Sequence, residues 1–132
     1  MTGKHTAALT RFEQALETLE AACLTASNDL ERDGTIQRFE FTFELAWKCL
    51  SAVLAHEGYM STHGPRTCIK DGARHGYLQT PEDFLDMLED RNLTAHVYKA
   101  ALAEEIFQRI KNRWTPYLRE LLEALKRPAG TG

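Results

Sequence analysis

The sequence predicts an all-α, up-and-down bundle of the four-helix type, with one extra short helix. Two observations carry this. Apolar residues recur at three- and four-residue spacing along most of the chain. No stretch alternates with period two for long, and β-branched residues are sparse. With 132 residues, 43% of them hydrophobic and 27% charged, the chain suits one globular domain, placed at residues 1–127 with a disordered tail at 128–132.

The elements follow in order. A first helix is expected from about Thr6 to Leu30, with Leu9, Phe12, Leu16, Leu19 and Cys23 on one stripe and Asp33-Gly34 as its break. In that scheme Asp29, Glu31 and Asp33 form a solvated junction. A second helix is expected from about Thr35 to Glu57, closed by Gly58. It carries a broad core stripe, from Ile36 and Phe39 through Trp47 to Leu54, and a second stripe of Phe41, Leu45, Cys49 and Ala52. A helix with two apolar faces is either central in its bundle or also part of a subunit interface, and in so small a bundle we expect a homodimer. After the loop YMSTHGP, Pro65 opens a short helix that Gly76 closes. Thr80-Pro81-Glu82-Asp83 combines a cap residue, a first-turn proline and acids, and starts the next helix. A last helix is expected from about Ala100 to Lys126, kinked or broken at Pro116. Trp47 and Trp114 fall at core spacing and read as packing residues.

Composition narrows the function. The apolar runs are far shorter than the roughly 18 residues needed to cross a bilayer, and the N-terminal MTGKHTAALTRFEQ lacks a signal-peptide pattern. We therefore expect a cytoplasmic protein with no membrane contact. Three widely spaced cysteines without a Cys-x-x-Cys pair argue against a disulfide framework. The spacing of His63, Cys68 and His75 matches no common metal site, so neither metal nor cofactor is expected. There is no Gly-rich phosphate loop, no His-Glu-x-x-His pair and no Gly-x-Ser-x-Gly elbow. The net charge of −3 argues against wrapping nucleic acid by bulk electrostatics. Its distribution is uneven: residues 1–60 hold five Lys/Arg against nine Asp/Glu, and residues 109–127 hold six against two. That basic C-terminal stretch either faces phosphates or is a solvated helix end.

The stretch EDRNLTAHVY, residues 89–98, concentrates useful groups. On an ideal helix Phe84, Leu88 and Ala95 share a face, with Arg91 among them and Tyr98 beside it. Arginine offers a planar fork of donors for phosphate or carboxylate, and histidine exchanges protons near neutral pH. From residue types alone two alternatives stay open. Arg91 either serves an anion or pairs with Glu40 or Glu44 of a neighbouring helix, and His96 either transfers protons or caps the helix end. An ideal helix sets His96 about 140° from Arg91. Either the helix loosens after Asn92, or His96 works with the arginine of another protomer.

Arg91-Asn92-Leu93-Thr94-Ala95-His96-Val97-Tyr98 resembles the R-x4-H-x-Y signature of HEPN domains. DLERDGTIQRFEFTFELAWKCL (29–50) and DFLDMLEDRNLTAHVY (83–98) resemble the HEPN branch known as nucleotidyltransferase substrate-binding proteins, over nearly the whole chain. The resemblance implies a helical bundle that dimerises and sets the motifs of both protomers along one cleft, beside a cognate minimal nucleotidyltransferase. Many such proteins resemble the toxin of a toxin–antitoxin pair and act as metal-independent endoribonucleases. On that pattern Arg91 stabilises phosphate, Asn92 orients, His96 transfers a proton, and Tyr98 is the tyrosine modified with AMP to silence the toxin. The family's other reading is a non-catalytic subunit that presents a substrate or nucleotide to the partner enzyme. No nucleotidyltransferase chemistry is encoded in this chain.

Overall fold

The computed structural model describes residues 3–59 and 64–127. The expected tail at 128–132, the middle of the YMSTHGP loop and His63 lie outside the described residues. Among the described residues the fold is helical, with no strand.

The first correction concerns the boundary between the two long helices. Helix α1 spans Lys4–Thr25 and α2 spans Asp29–His56, straight through Asp33-Gly34. The reason is a cap stronger than the glycine. The Asn28 side chain accepts from the backbone N–H of Glu31 at 2.8 Å, while Glu31 Oε1 accepts from the backbone N–H and hydroxyl of Ser27 at 2.8 and 3.0 Å. This reciprocal cap satisfies donors at the helix start, and Asp29 and Glu31 face the positive end of the helix dipole. A mid-helix glycine costs only about 1 kcal/mol relative to alanine, so it does not outweigh the cap. The acids at 29–33 are therefore a helix start. They also hold Arg32, which pairs with Asp29 and Asp33 and reaches Glu104 at 3.8 Å.

Helix α2 ends as its sequence signals. Gly58 takes φ +90°, the Tyr59 N–H bonds Leu54 O at 3.0 Å and the Gly58 N–H bonds Ala55 O at 3.1 Å. This double closure needs a left-handed residue that glycine adopts freely. Helix α3, Pro65–Arg74, closes the same way on Gly76. Helix α4 spans Pro81–Leu93, although the Thr80 side chain makes no capping hydrogen bond with the backbone. A 3-10 turn follows at Thr94–His96.

The last helix is continuous but changes width. Helix α5, Ala100–Arg109, passes into a π-turn at Ile110–Trp114 and then into α6, Thr115–Lys126. Pro116 sits in the first turn of α6. It has no N–H to give and its ring crowds the carbonyl four residues back, so the wide turn before it absorbs the fault without a break.

Helix α2 is the centre: α1, α3, α4, α5 and α6 all pack on it. The core joins Phe12, Leu16 and Leu19 of α1 to Ile36, Phe39, Phe43, Leu50 and Leu54 of α2 and Ile106, Trp114, Leu118 and Leu122 of the last helix. Trp114 is fully buried, and Trp47 packs against the core from a half-buried position. Most of the second stripe of α2 is covered within the chain. Cys49 is buried and Leu45 and Ala52 are packed, α3 lies against this helix with the Cys68 thiol donating to Trp47 O at 3.3 Å, and Phe41 stays 42% exposed. No described helix is long and apolar enough to cross a membrane.

The basic C-terminal stretch faces protein acids. Arg109 pairs with Asp90, Arg113 with Asp83 and Asp86, Arg119 with Glu20, and Lys126 with Glu13. The uneven charge along the sequence thus becomes neutralisation between helices.

This packing makes stability testable at two points. A Cβ on Gly72 would lie 2.6 Å from Leu50 Cδ2, whereas one on Gly34 meets nothing within 4 Å. Leu50 is buried in the core, so its side chain can yield only against packed neighbours. Denaturant melts are expected to show Gly72→Ala destabilised by about 1–3 kcal/mol and Gly34→Ala stabilised by about 0.5–1 kcal/mol. The Asp83 carboxyl is held below its ordinary 3.8, first by the hydrogen bond from Arg113 and next by Thr80. A depressed folded pKa stabilises above the unfolded value and is lost as pH falls through the folded one. The melting-temperature gap between wild type and Asp83→Asn is therefore widest above about pH 4 and closes in more acid solution.

Candidate functional site

The last turn of α4, the 3-10 turn after it and the turn at Val97-Tyr98 carry Arg91, Asn92, His96 and Tyr98 in that order. Their geometry is set by where the helix gives way. The Thr94 hydroxyl and backbone N–H both turn back to Arg91 O, the hydroxyl at 2.6 Å, and the chain tightens from α to 3-10 winding. The α-helix thus ends after Leu93, one residue beyond the Asn92 at which the sequence allowed it to give way, and it ends by tightening. This corrects the shared face read from the sequence: Phe84 and Leu88 are buried, but Ala95 is exposed and Tyr98 is 77% exposed. The 100° step that placed Tyr98 beside Arg91 no longer applies beyond Leu93.

Arg91 is about one-third exposed, and its Nε lies 3.4 Å from Glu44 Oε1. Of the two acids that the sequence offered, Glu44 is the partner. The contact is an ion pair without a hydrogen bond, since that Nε is buried and has no hydrogen-bond partner. Glu44 is shared: its Oε2 accepts from the Trp47 indole at 3.2 Å and lies 4.0 Å from the Lys48 ammonium. Asn92 and His96 are exposed, and the His96 ring meets the Tyr98 ring edge-on at 6.3 Å between centroids. The segment therefore presents a loosely held guanidinium, an amide, an imidazole and a phenol within eight residues.

Sequence reasoning missed Asp90, the residue before Arg91. It is 5% exposed, a buried carboxylate in a run of charged residues. Its oxygens accept from Arg109 Nε at 2.6 Å, Arg109 Nη2 at 2.8 Å and the Trp114 indole N–H at 2.8 Å. The pairing raises the Arg109 pKa, chiefly through the hydrogen bond to Asp90. A signal existed in part. Buried carboxylates need paired donors, and Arg109 and Trp114 flank the position where Pro116 disturbs the last helix.

All three cysteines are buried. Burial pushes Cys23 up to about 11 and Cys49 up to about 12. Cys68 is engaged with Trp47 O, His75 stacks on Tyr59 at 3.6 Å between centroids, and His63 lies outside the described residues. Among the described residues no cluster of three or more His, Cys, Asp or Glu side chains is disposed to hold a metal ion.

Known proteins share this architecture. A protein of Thermus thermophilus, known from its crystal structure, superposes with a TM-score of 0.82 at 35% identity, covering 88% of this chain and 99% of its own. A Haemophilus influenzae protein superposes with a TM-score of 0.80 at 21% identity, over 90% of this chain and 99% of its own, and its structure is described as revealing the fold of a substrate binding domain of a nucleotidyltransferase. At that identity the second likeness shows the fold alone. None of the curated proteins matches the chain. A family model covers residues 3–127, and the chain belongs to the family described as nucleotidyltransferase substrate binding protein like.

Proposed function

We propose that the chain is the substrate-binding partner of a separate minimal nucleotidyltransferase, and that Arg91 receives the phosphate of a nucleotide or of nucleotide-bearing RNA. The observation that carries this reading is the state of Arg91. Arg109 and Arg119 each commit their guanidinium to two hydrogen bonds with one carboxylate. Arg91 touches Glu44 at 3.4 Å without a hydrogen bond, beside exposed Asn92 and His96. Its fork is available to an incoming oxyanion, which it suits in shape as well as charge. Asn92 orients the ligand, and two copies of the chain set their Arg91 segments along a shared cleft, a pairing that the exposed apolar side chains of Phe41 and Leu93 support.

Calorimetric titration with ATP tests this. Losing a charge-assisted hydrogen bond of about 1.5–3 kcal/mol predicts that Arg91→Ala weakens binding roughly ten- to hundredfold while the melting temperature holds. Equal affinity in wild type and variant, in the presence of the partner enzyme, would overturn the proposal.

A second reading has its own observation, the 77% exposure of Tyr98 at the edge of His96. In it the dimer is a metal-independent endoribonuclease. One His96 takes the proton of a ribose 2′-OH, whose oxygen attacks the adjacent phosphorus. The partner's His96 protonates the leaving 5′-oxygen, and Arg91 neutralises the phosphorane. The nucleotidyltransferase would then transfer AMP from ATP to the Tyr98 phenol, releasing pyrophosphate and placing a phosphate at the edge of His96 that repels RNA. Expression of the chain alone decides between the two. A ribonuclease arrests growth as wild type and not as His96→Ala, and co-expression adds the mass of AMP to wild type but not to Tyr98→Phe. If wild type and His96→Ala grow alike, the second reading fails.

A further inference from the structure

The π-turn and the buried carboxylate belong to one device. On an ideal α-helix Arg109 and Trp114, five residues apart, point about 140° away from each other, too far to meet on a single side chain. In the turn at Ile110–Trp114 the Thr115 N–H bonds Ile110 O, five residues back, which widens the helix and swings positions five apart toward one face. Both residues then reach Asp90: Arg109 with two bonds at 2.6 and 2.8 Å, Trp114 with one at 2.8 Å. The neighbouring Arg113 guanidinium lies 4.6 Å from the Trp114 ring centroid and ties back to Asp83, so α4 is gripped at its first turn and at its last by the same stretch of helix.

Asp90 sits at the joint between regular helix and the segment with the exposed polar groups. Arg91 follows it directly, and three residues beyond Arg91 the α winding ends at Thr94. A residue held by three donors from another helix has almost no rotational freedom, whereas between Arg91 and Tyr98 only Thr94 is buried and only Val97 packs against the core, with Asn92, His96 and Tyr98 exposed. We infer that Asp90 is the positioning residue of the Arg91–Tyr98 segment, and that the π-turn exists to bring Arg109 and Trp114 onto it together. Asp90 touches no ligand in this scheme. It fixes the azimuth of the last turn of α4, and so fixes where Arg91 stands against Glu44 and where the 3-10 turn carries His96 and Tyr98. The functional half of the inference rests on the reading of Arg91 as the phosphate-binding residue.

The test uses the full chain and three substitutions that remove the grip by degrees. Asp90→Asn keeps the shape and an acceptor for Trp114 but loses the charge. Arg109→Lys keeps the charge but loses the fork. Trp114→Phe removes the indole N–H. Below the melting temperature of each variant, two-dimensional NMR follows the backbone amides of residues 94–98 and the Arg91 Nε–H, and calorimetry follows ATP. We expect Asp90→Asn to shift or broaden the amide signals of residues 94–98 and the Arg91 Nε–H and to weaken ATP by about tenfold, with Arg109→Lys and Trp114→Phe giving smaller changes of the same kind. A merely structural Asp90 lowers the melting temperature and leaves those signals and the affinity unchanged, and that result overturns the inference. If Asp90→Asn does not fold, Arg109→Lys and Trp114→Phe decide the matter in the same readouts. Should Arg91→Ala bind ATP like wild type, the reading of Arg91 falls, while the amide signals of residues 94–98 and the Arg91 Nε–H in the Asp90 and Arg109 variants still decide whether Asp90 positions the segment.

Discussion

The burial of the Asp90 carboxylate is the constraint around which the C-terminal half is built. Taking an ion out of water costs several kcal/mol, and the cost is met only when good donors surround it. Asp90 has three hydrogen bonds from two side chains, all between 2.6 and 2.8 Å. Removing one partner of such a pair typically costs about 3–5 kcal/mol, because the other charge is left stranded. That demand fixes the distance between α4 and the last helix, and it fixes which faces of that helix look inward on either side of the π-turn. Downstream of the turn, the same register brings Arg119 to Glu20 and Lys126 to Glu13 on α1. Pro116 and the buried aspartate are thus two aspects of one irregularity. The proline makes a regular helix costly at this point, and the carboxylate stabilises the irregular one.

The same pairing explains a negative feature of the surface. Four of the basic side chains between 109 and 127 are engaged by acids of α1 and α4. The three more exposed of these pairs, those of Arg113, Arg119 and Lys126, add little stability singly, about 0–1 kcal/mol each, but together with Arg109 they turn most of the basic stripe toward protein acids. Arg91 differs from them in having a partner without a hydrogen bond. What distinguishes it is the geometry of its contact rather than its charge.

The bundle was legible in the sequence because periodicity and punctuation are local signals. Gly58 and Gly76 close helices where left-handed closure was expected, Pro81 opens one, and the apolar stripes of α1 and α2 form the core. The errors came where one local signal outweighed another. Gly34 looked like a break, yet the cap of Asn28 and Glu31 begins α2 six residues earlier and the glycine is simply carried along. Tyr98 looked like a neighbour of Arg91 only while the helix was assumed to continue, and the Thr94 hydroxyl ends that assumption. Asp90 was illegible for a different reason. Its partners are 19 and 24 residues away, and nothing in the string EDRN marks which acid faces inward. The Arg91–Glu44 pair sat between these cases: two acids were visible on the right face of α2, and only the packing of α4 against it chose one.

Glu44 gives the proposed site its chemical logic. Its carboxylate has the same oxygen chemistry as a phosphate, so it holds Arg91 in an anion-ready pose. It is also bonded to Trp47 and close to Lys48. When Arg91 turns to an incoming phosphate, Glu44 therefore keeps two partners and is not left as an uncompensated charge. The exchange costs one long ion pair at the edge of solvent and gains bidentate bonds to a doubly accepting ligand. An arginine clamped as Arg109 is clamped would have to abandon a buried carboxylate to do the same, at a cost no single phosphate contact would offset. In the proposed scheme the two arginines, eighteen positions apart and paired with acids of different exposure, divide the work: one would make the segment rigid, and the other would stay free enough to bind.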